Sequence, residues 1–202
     1  MQPAERFERV LAAIDSANAR DPNIIEFDGG RVGAELVYGR RMTETLAEMA
    51  PEASECLRIA ARGQHIERWA VPRHRYPAGR AGYLQWRRVQ RRFQAERLGE
   101  LMSLCGYGED EIARVGVLIR KENMNSDAEV QMLEDVICVM FLKYYLKGLP
   151  PKADTDKLAD ILAKTWKRMS EHGHRHALKL DLSPRIRELL QCGLARLDRA
   201  PG

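Results

Sequence analysis

The chain of 202 residues is 45% hydrophobic and 31% charged, with a net charge of +4. Such a chain can bury a sizeable core in a single domain and is too ordinary in composition to be disordered or fibrous. Its longest purely apolar run, VICVMFL after Asp135, is seven residues, far short of the ~20 that a bilayer-spanning helix needs, so no membrane partner is expected. The opening MQPAERFERV lacks the basic-then-apolar order of a secretory signal. Cys56, Cys105, Cys138 and Cys192 are widely spaced with no CxxC pair. That usage points to reduced core cysteines in a cytoplasmic protein.

Phe7, Val10, Leu11 and Ile14 recur at spacings of three and four and predict an amphipathic helix over 3–20, stopped by Asp21 and Pro22. The β-prone NIIEF that follows, with the turn signal DGG at 28–30, predicts a small hairpin or extended arm near 23–33. Leu36, Val37, Tyr38, Met42, Leu46 and Met49 predict a second helix. Pro51 opens a third, carrying Cys56, Leu57 and Ile59 and reaching towards Ile66. Gln64, His65 and Arg68 then fall in its last turns. Pro72, Pro77 and Gly79 make 70–80 a loop. A long helix over about 81–105 follows, with Trp86, Val89, Phe93 and Leu101 as its apolar stripe. Glu109 to Arg120 forms another, with acids gathered in its first turn.

Ser126 or Asp127 caps a strongly apolar helix running to Lys147, ended by the residues at 148–151. Helices over 154–169 and from Ser183 to about Leu197 complete the pattern, the last with Pro184 at its first position. The HGHRH tract at 172–176 is expected to be an exposed loop. The fold class is therefore all-α, a single domain of about eight helices in a bundle or superhelix, with at most a short β segment near 23–33.

Charge is concentrated. Between Arg58 and Arg97 there are eleven arginines, no lysine, and only Glu67 and Glu96 as acids. Arginine forks recognise phosphate or carboxylate bidentately, and exclusive use of Arg fits planar anion recognition. Arg68, Arg73, Arg75 and Arg80, flanking or within the loop, are the expected ligand contacts, with Arg62 nearby. Gln64, Trp69 and His74 belong to the same polar neighbourhood. Two interior candidates accompany them. Glu134 and Asp135 lie in the most apolar helix, where an unpaired carboxylate is costly, so they are expected either to bridge to an arginine or to act as metal ligand or general base. His65 ends an apolar helix beside Gln64, Glu67 and Arg68, either as a structural histidine or as part of a polar pocket.

The blocks DPNIIEFDG, LVYGRRM, IAARGQHIERWAVPRHRYPAGRAGYLQWRR, LEDVICVMFLKYY and KTWKRMSEHG together resemble domain-of-unknown-function family 4202, from about Phe7 to Leu197. A histidine at a helix end, then IARVGVLIRKE, then an acid in LEDV is also similar to the HD-type metal-dependent phosphohydrolases. In that family, histidines and aspartates hold divalent ions that activate water against a phosphate ester. The resemblance implies His65 and Asp135 as metal ligands for Mn or Mg. It also implies His65 and Asp135, or Glu134 in its place, as catalytic groups; Lys121 is a further expected substrate contact. Ile66 follows His65 where that family has aspartate, and Gln94 stands where many members have histidine. The expected function is hydrolysis of a nucleotide or other phosphate-containing small molecule at an Arg-rich pocket. The alternative is a non-catalytic module that binds RNA or a nucleotide.

Overall fold

The structure is a computed structural model and describes residues 3–146 and 154–199. It is all-α apart from one hairpin: α1 (Pro3–Asn18), β1 (Ile24–Phe27), β2 (Gly30–Gly33), α2 (Ala34–Met49), α3 (Glu55–Gly63), α4 (Gly79–Leu104), α5 (Glu109–Arg120), α6 (Ala128–Met140), α7 (Thr155–Arg168), α8 (Glu171–Leu178) and α9 (Pro184–Arg199). Two single 3₁₀ turns, Arg68–Ala70 and Arg73–Arg75, lie between α3 and α4. The predicted helix end at 148–151 lies outside the described residues. By its internal contacts the chain forms two compact units, Met1–Leu133 and Glu134–Gly202.

In the first unit, the antiparallel β1–β2 pair runs in register from Ile24 opposite Gly33 to Phe27 opposite Gly30. Asp28 and Gly29 turn it with positive φ, the conformation that a two-residue hairpin loop demands and that Asp-Gly supplies. The hairpin returns the chain to its own start. The Asp21 carboxylate accepts from the backbone of Asn23 at 2.8 Å and of Glu35 at 2.9 Å, which anchors the first turn of α2. Val10, Ile14, Val37, Met42, Ile59, Ile66, Leu98, Met102, Leu118 and Ile119 form the core, each fully buried.

One helix start and one helix face differ from expectation. Pro51 does not open α3: Ser54 does, because its hydroxyl accepts from Leu57 N at 3.1 Å and satisfies a donor that proline leaves open. In α4 the inward stripe is Trp86, Gln90, Gln94 and Leu98, then Leu101 and Met102, while Val89 is exposed. Two glutamines in the buried series disguised that face from any reading by hydrophobicity.

Gly39 of α2 shows how closely α2 and α3 approach. A Cβ there would stand 2.7 Å from the Arg62 carbonyl oxygen, a backbone atom that cannot turn aside. Gly39→Ala gains up to about 1 kcal/mol of helix propensity, but overpacking costs about 1–3 kcal/mol. The variant should melt below the wild type, and an unchanged or higher melting temperature would show that the helices can part.

In the second unit, α7 packs on α9 at Gly193, where a Cβ would lie 2.3 Å from the Ala159 carbonyl oxygen. The HGHRH tract is helical, not a loop: it forms most of α8. Ser170 caps α8 by accepting from Gly173 N at 3.3 Å, and His174 stacks on Trp166 with centroids 4.2 Å apart while its Nε2 meets the Trp166 carbonyl at 2.9 Å. Glycine and histidine are weak helix formers, so capping and ring packing decide this segment where propensity does not.

Candidate functional site

The polar centre of the first unit forms where α3 ends. At Gly63 the chain packs closely on α4, where a Cβ would stand 2.4 Å from the Leu98 side chain, and α3 ends there. It turns instead through Glu67, held in the left-handed region at φ 44°. Asn18, almost fully buried, fixes this conformation by accepting from Glu67 N at 3.0 Å, while the Glu67 carboxylate meets Arg20 at 3.0 Å and Arg97 at 2.9 Å. A non-glycine residue in this region is strained, and here its neighbours hold it. The turn brings Arg68 back onto His65.

His65 is gripped from both nitrogens. Its Nε2 lies 2.8 Å from Arg68 Nη1, and its Nδ1 lies 3.2 Å from Glu35 Oε2. Guanidinium only donates, so Nε2 accepts and the neutral ring carries its proton on Nδ1, facing Glu35. The imidazole stacks on Tyr38 with centroids 3.8 Å apart at 14°. Burial lowers the His65 pKa well below its ordinary value, and the cations Arg68, Arg87 and Lys121 lower it further. Glu35 moves the other way. Burial pushes its pKa up to about 7, opposed by Arg68 and reinforced by Asp21. Two groups one hydrogen bond apart thus have pKa values driven in opposite directions, the signature of an acid–base pair.

The arginine and lysine are positioned by the helices around them. Arg68 lies 4.9 Å over the Trp86 ring, and its carbonyl accepts from Gln90 Nε2 at 3.3 Å. Trp86 Nε1 donates to the Val71 carbonyl at 2.9 Å, so the inward face of α4 lies against the 3₁₀ turn. Lys121 ends α5 in the left-handed conformation and is buried.

The predicted site residues separate into four groups. His65 and Arg68 meet at this centre, where Lys121 also acts on the His65 charge, with Glu35, Tyr38, Arg87 and Gln90, which the sequence reading did not place among the site residues, while Gln64 and Gln94 are buried at the end of α3 and on α4. Arg62 instead grips Asp15 through Nε at 2.6 Å and Nη2 at 2.5 Å, and meets Thr43 at 3.3 Å. Arg73 folds back onto the carbonyls of Tyr76 at 2.9 Å and Pro77 at 2.8 Å, closing the loop. Trp69 is half-buried, while His74, Arg75 and Arg80 are exposed. In the second unit, Glu134 bridges to Arg168 at 3.0 Å, and Asp135 accepts from Ser170 N at 2.8 Å and from the Ser170 hydroxyl. One signal for Glu35 was legible: an acid three residues before a tyrosine in the first turn of a helix. Arg87 carried none, being one arginine among many.

Among the described residues, no three His, Cys, Asp or Glu side chains gather as a metal-holding group. For a divalent ion to bind His65, Arg68 would have to leave Nε2, and the ion would meet the cations that surround the ring. Asp135 is likewise engaged by Ser170. The donors as they stand do not fit Mn or Mg, and no step below runs through a metal.

No helix among the described residues is long and apolar enough to cross a membrane. No curated protein and no solved structure shows a significant match to the chain. The profile of the family described as "Domain of unknown function (DUF4202)" matches residues 8–190, nearly the whole length, and the chain belongs to that family.

Proposed function

We propose that this protein is a cytoplasmic phosphohydrolase, or a derivative of an HD-like one, acting on a nucleotide or other phosphate-containing small molecule at the Glu35–His65–Arg68 centre. The observation that carries the reading is the charge arrangement: Arg68 donates to a neutral imidazole whose hydrogen-bonded acid is Glu35, and Arg87 and Lys121 add positive charge that acts on the same ring. Such a centre attracts an anion and has a proton acceptor within it.

The chemistry follows from the contacts. In the resting state Arg68 donates to His65 Nε2. A phosphate draws the guanidinium into a bidentate pair and frees Nε2. Nε2 then takes a proton from water as the oxygen attacks phosphorus, and the imidazolium returns that proton to the departing oxygen. Glu35, accepting from Nδ1, stabilises the imidazolium between the two transfers.

Calorimetric titration with inorganic phosphate, and a phosphate-ester panel run with and without Mn²⁺ and Mg²⁺, test the proposal. Arg68→Ala should weaken phosphate binding by about 1.5–3 kcal/mol, the range for charge-assisted bonds. His65→Ala should remove turnover while leaving phosphate bound. Wild-type protein that neither binds phosphate nor cleaves any ester would end this reading.

A second reading, an RNA-binding module, draws on the exposed face of α4. Tyr83 and Leu84 are 45% and 52% exposed beside Arg80 and Arg88, also exposed. A surface of stacking rings and guanidiniums suits single-stranded RNA. Binding that falls steeply with salt, without turnover, would favour it.

A further inference from the structure

The buried face of α4 carries a feature that phosphate binding does not use. Gln90 and Gln94 point inward one turn apart, and Gln64 lies at the end of α3, which meets α4 at Leu98, one turn beyond Gln94. The three are 1%, 2% and 2% exposed. Each leaves an amide atom without a hydrogen-bond partner: Gln64 Oε1, Gln90 Oε1 and Gln94 Nε2. Leaving one such atom unmade costs about 1–3 kcal/mol, and apolar residues at these positions would avoid it three times over. Trp86 and Leu98, on the same face, show that the position accepts apolar side chains.

Two acceptors and one donor, oriented into the interior beside a cationic centre, form a recognition set. We infer that these three amides read the hydrogen-bonding edge of a nucleobase, making the ligand of the His65 centre a nucleotide and not a simple phosphate ester; this rests on the phosphate reading above. A base edge offers N–H donors to Gln64 and Gln90 and an acceptor to Gln94. A sugar phosphate has no such planar edge.

Gln90 is already steered for the task, because its Nε2 is held by the Arg68 carbonyl at 3.3 Å, which leaves Oε1 as the acceptor. The same residue Arg68 presents its guanidinium to His65. One residue thus touches both the anion centre and the amide set, which places phosphate and base on either side of it. The 3₁₀ segment is held against this face of α4 by two bonds, Gln90 to Arg68 and Trp86 to Val71. Parting them exposes the set.

Binding to the wild-type protein is compared across inorganic phosphate, ribose 5-phosphate, the four common nucleoside 5′-monophosphates and the matching nucleosides. At least one nucleotide should bind tenfold or more tightly than ribose 5-phosphate. In Gln94→Met, close in shape but without the amide, that preference should fall at least tenfold while ribose 5-phosphate binds as before; in Gln90→Met, which also loses the bond to the Arg68 carbonyl, the preference should fall and ribose 5-phosphate should weaken with it. Phosphate and ribose 5-phosphate binding as well as every nucleotide would overturn this inference alone. So would methionine variants that melt higher and keep the preference, which would mean that the amides are satisfied by water. Nucleosides binding with no affinity for phosphate would sink the hydrolase reading and uphold the base site. If neither variant folds, the wild-type comparison with ribose 5-phosphate decides the matter by itself.

Discussion

Asp135→Ala should lower stability by about 3–5 kcal/mol, because two charge-assisted hydrogen bonds worth about 1.5–3 kcal/mol each are lost together. Asp135 is 1% exposed and receives both the backbone N–H and the hydroxyl of Ser170. Ser170 in turn caps α8, and a Cβ on Gly173 would lie 2.8 Å from the Asp135 carboxyl carbon, so this corner is assembled around the carboxylate. Removing it strands the Ser170 N–H and unsettles the start of α8. A loss of this size is a large part of the roughly 5–15 kcal/mol that a domain possesses. Asp135→Asn retains one oxygen as acceptor and should lose about half as much. Chemical denaturation of the three proteins checks the order. An alanine variant as stable as the wild type would mean that α8 holds without the carboxylate, and would return Asp135 to consideration as a ligand.

The second large effect is one of pH. Glu35 has an ordinary pKa of 4.5, raised to about 7 in the folded protein. The folded state therefore holds this proton more tightly than the unfolded one. The stability it contributes is complete below pH 4.5 and is lost as pH rises towards 7. At about 1.4 kcal/mol per unit, the loss reaches about 3 kcal/mol. His65 acts in the opposite sense. Its lowered pKa makes the folded state release protons, so its contribution grows as pH rises towards 6.5. The two slopes oppose each other in the wild type and leave a shallow profile. Glu35→Gln removes one of them. Relative to the wild type, the variant should gain up to about 3 kcal/mol between pH 4.5 and 7 and nothing further above that. Melting curves at a series of pH values read this difference directly. A constant offset would show that Glu35 titrates normally. The substitution should also blunt turnover, since Gln cannot stabilise an imidazolium as a carboxylate does.

Both effects arise from groups whose significance lies in what the fold packs around them. Glu35 reads in the chain as an ordinary acid in the first turn of a helix. Its shift comes from burial beside His65, reinforced by Asp21, which the hairpin brings against the start of α2. Asp135 reads as a carboxylate in search of a cation. The groups it meets are a backbone amide and a hydroxyl at the start of a helix 35 residues later.

By itself the sequence determined whatever depends on neighbours within a turn or two. Periodicity set the helices other than α8, Asp28-Gly29 set the hairpin, Asp127 set a cap, and the dense arginines located the neighbourhood of the site. These follow from local sterics and from the burial of one face, so a short window contains them. Tertiary structure decided which of eleven arginines meet the imidazole, that Arg62 belongs to Asp15 and Arg68 to His65, and that two glutamines face inward on a helix where the eye follows Val89 and Phe93. Side chains of one type are indistinguishable along the chain. Their roles diverge only when elements distant in sequence fix the distances, and the desolvation, that electrostatics depends on.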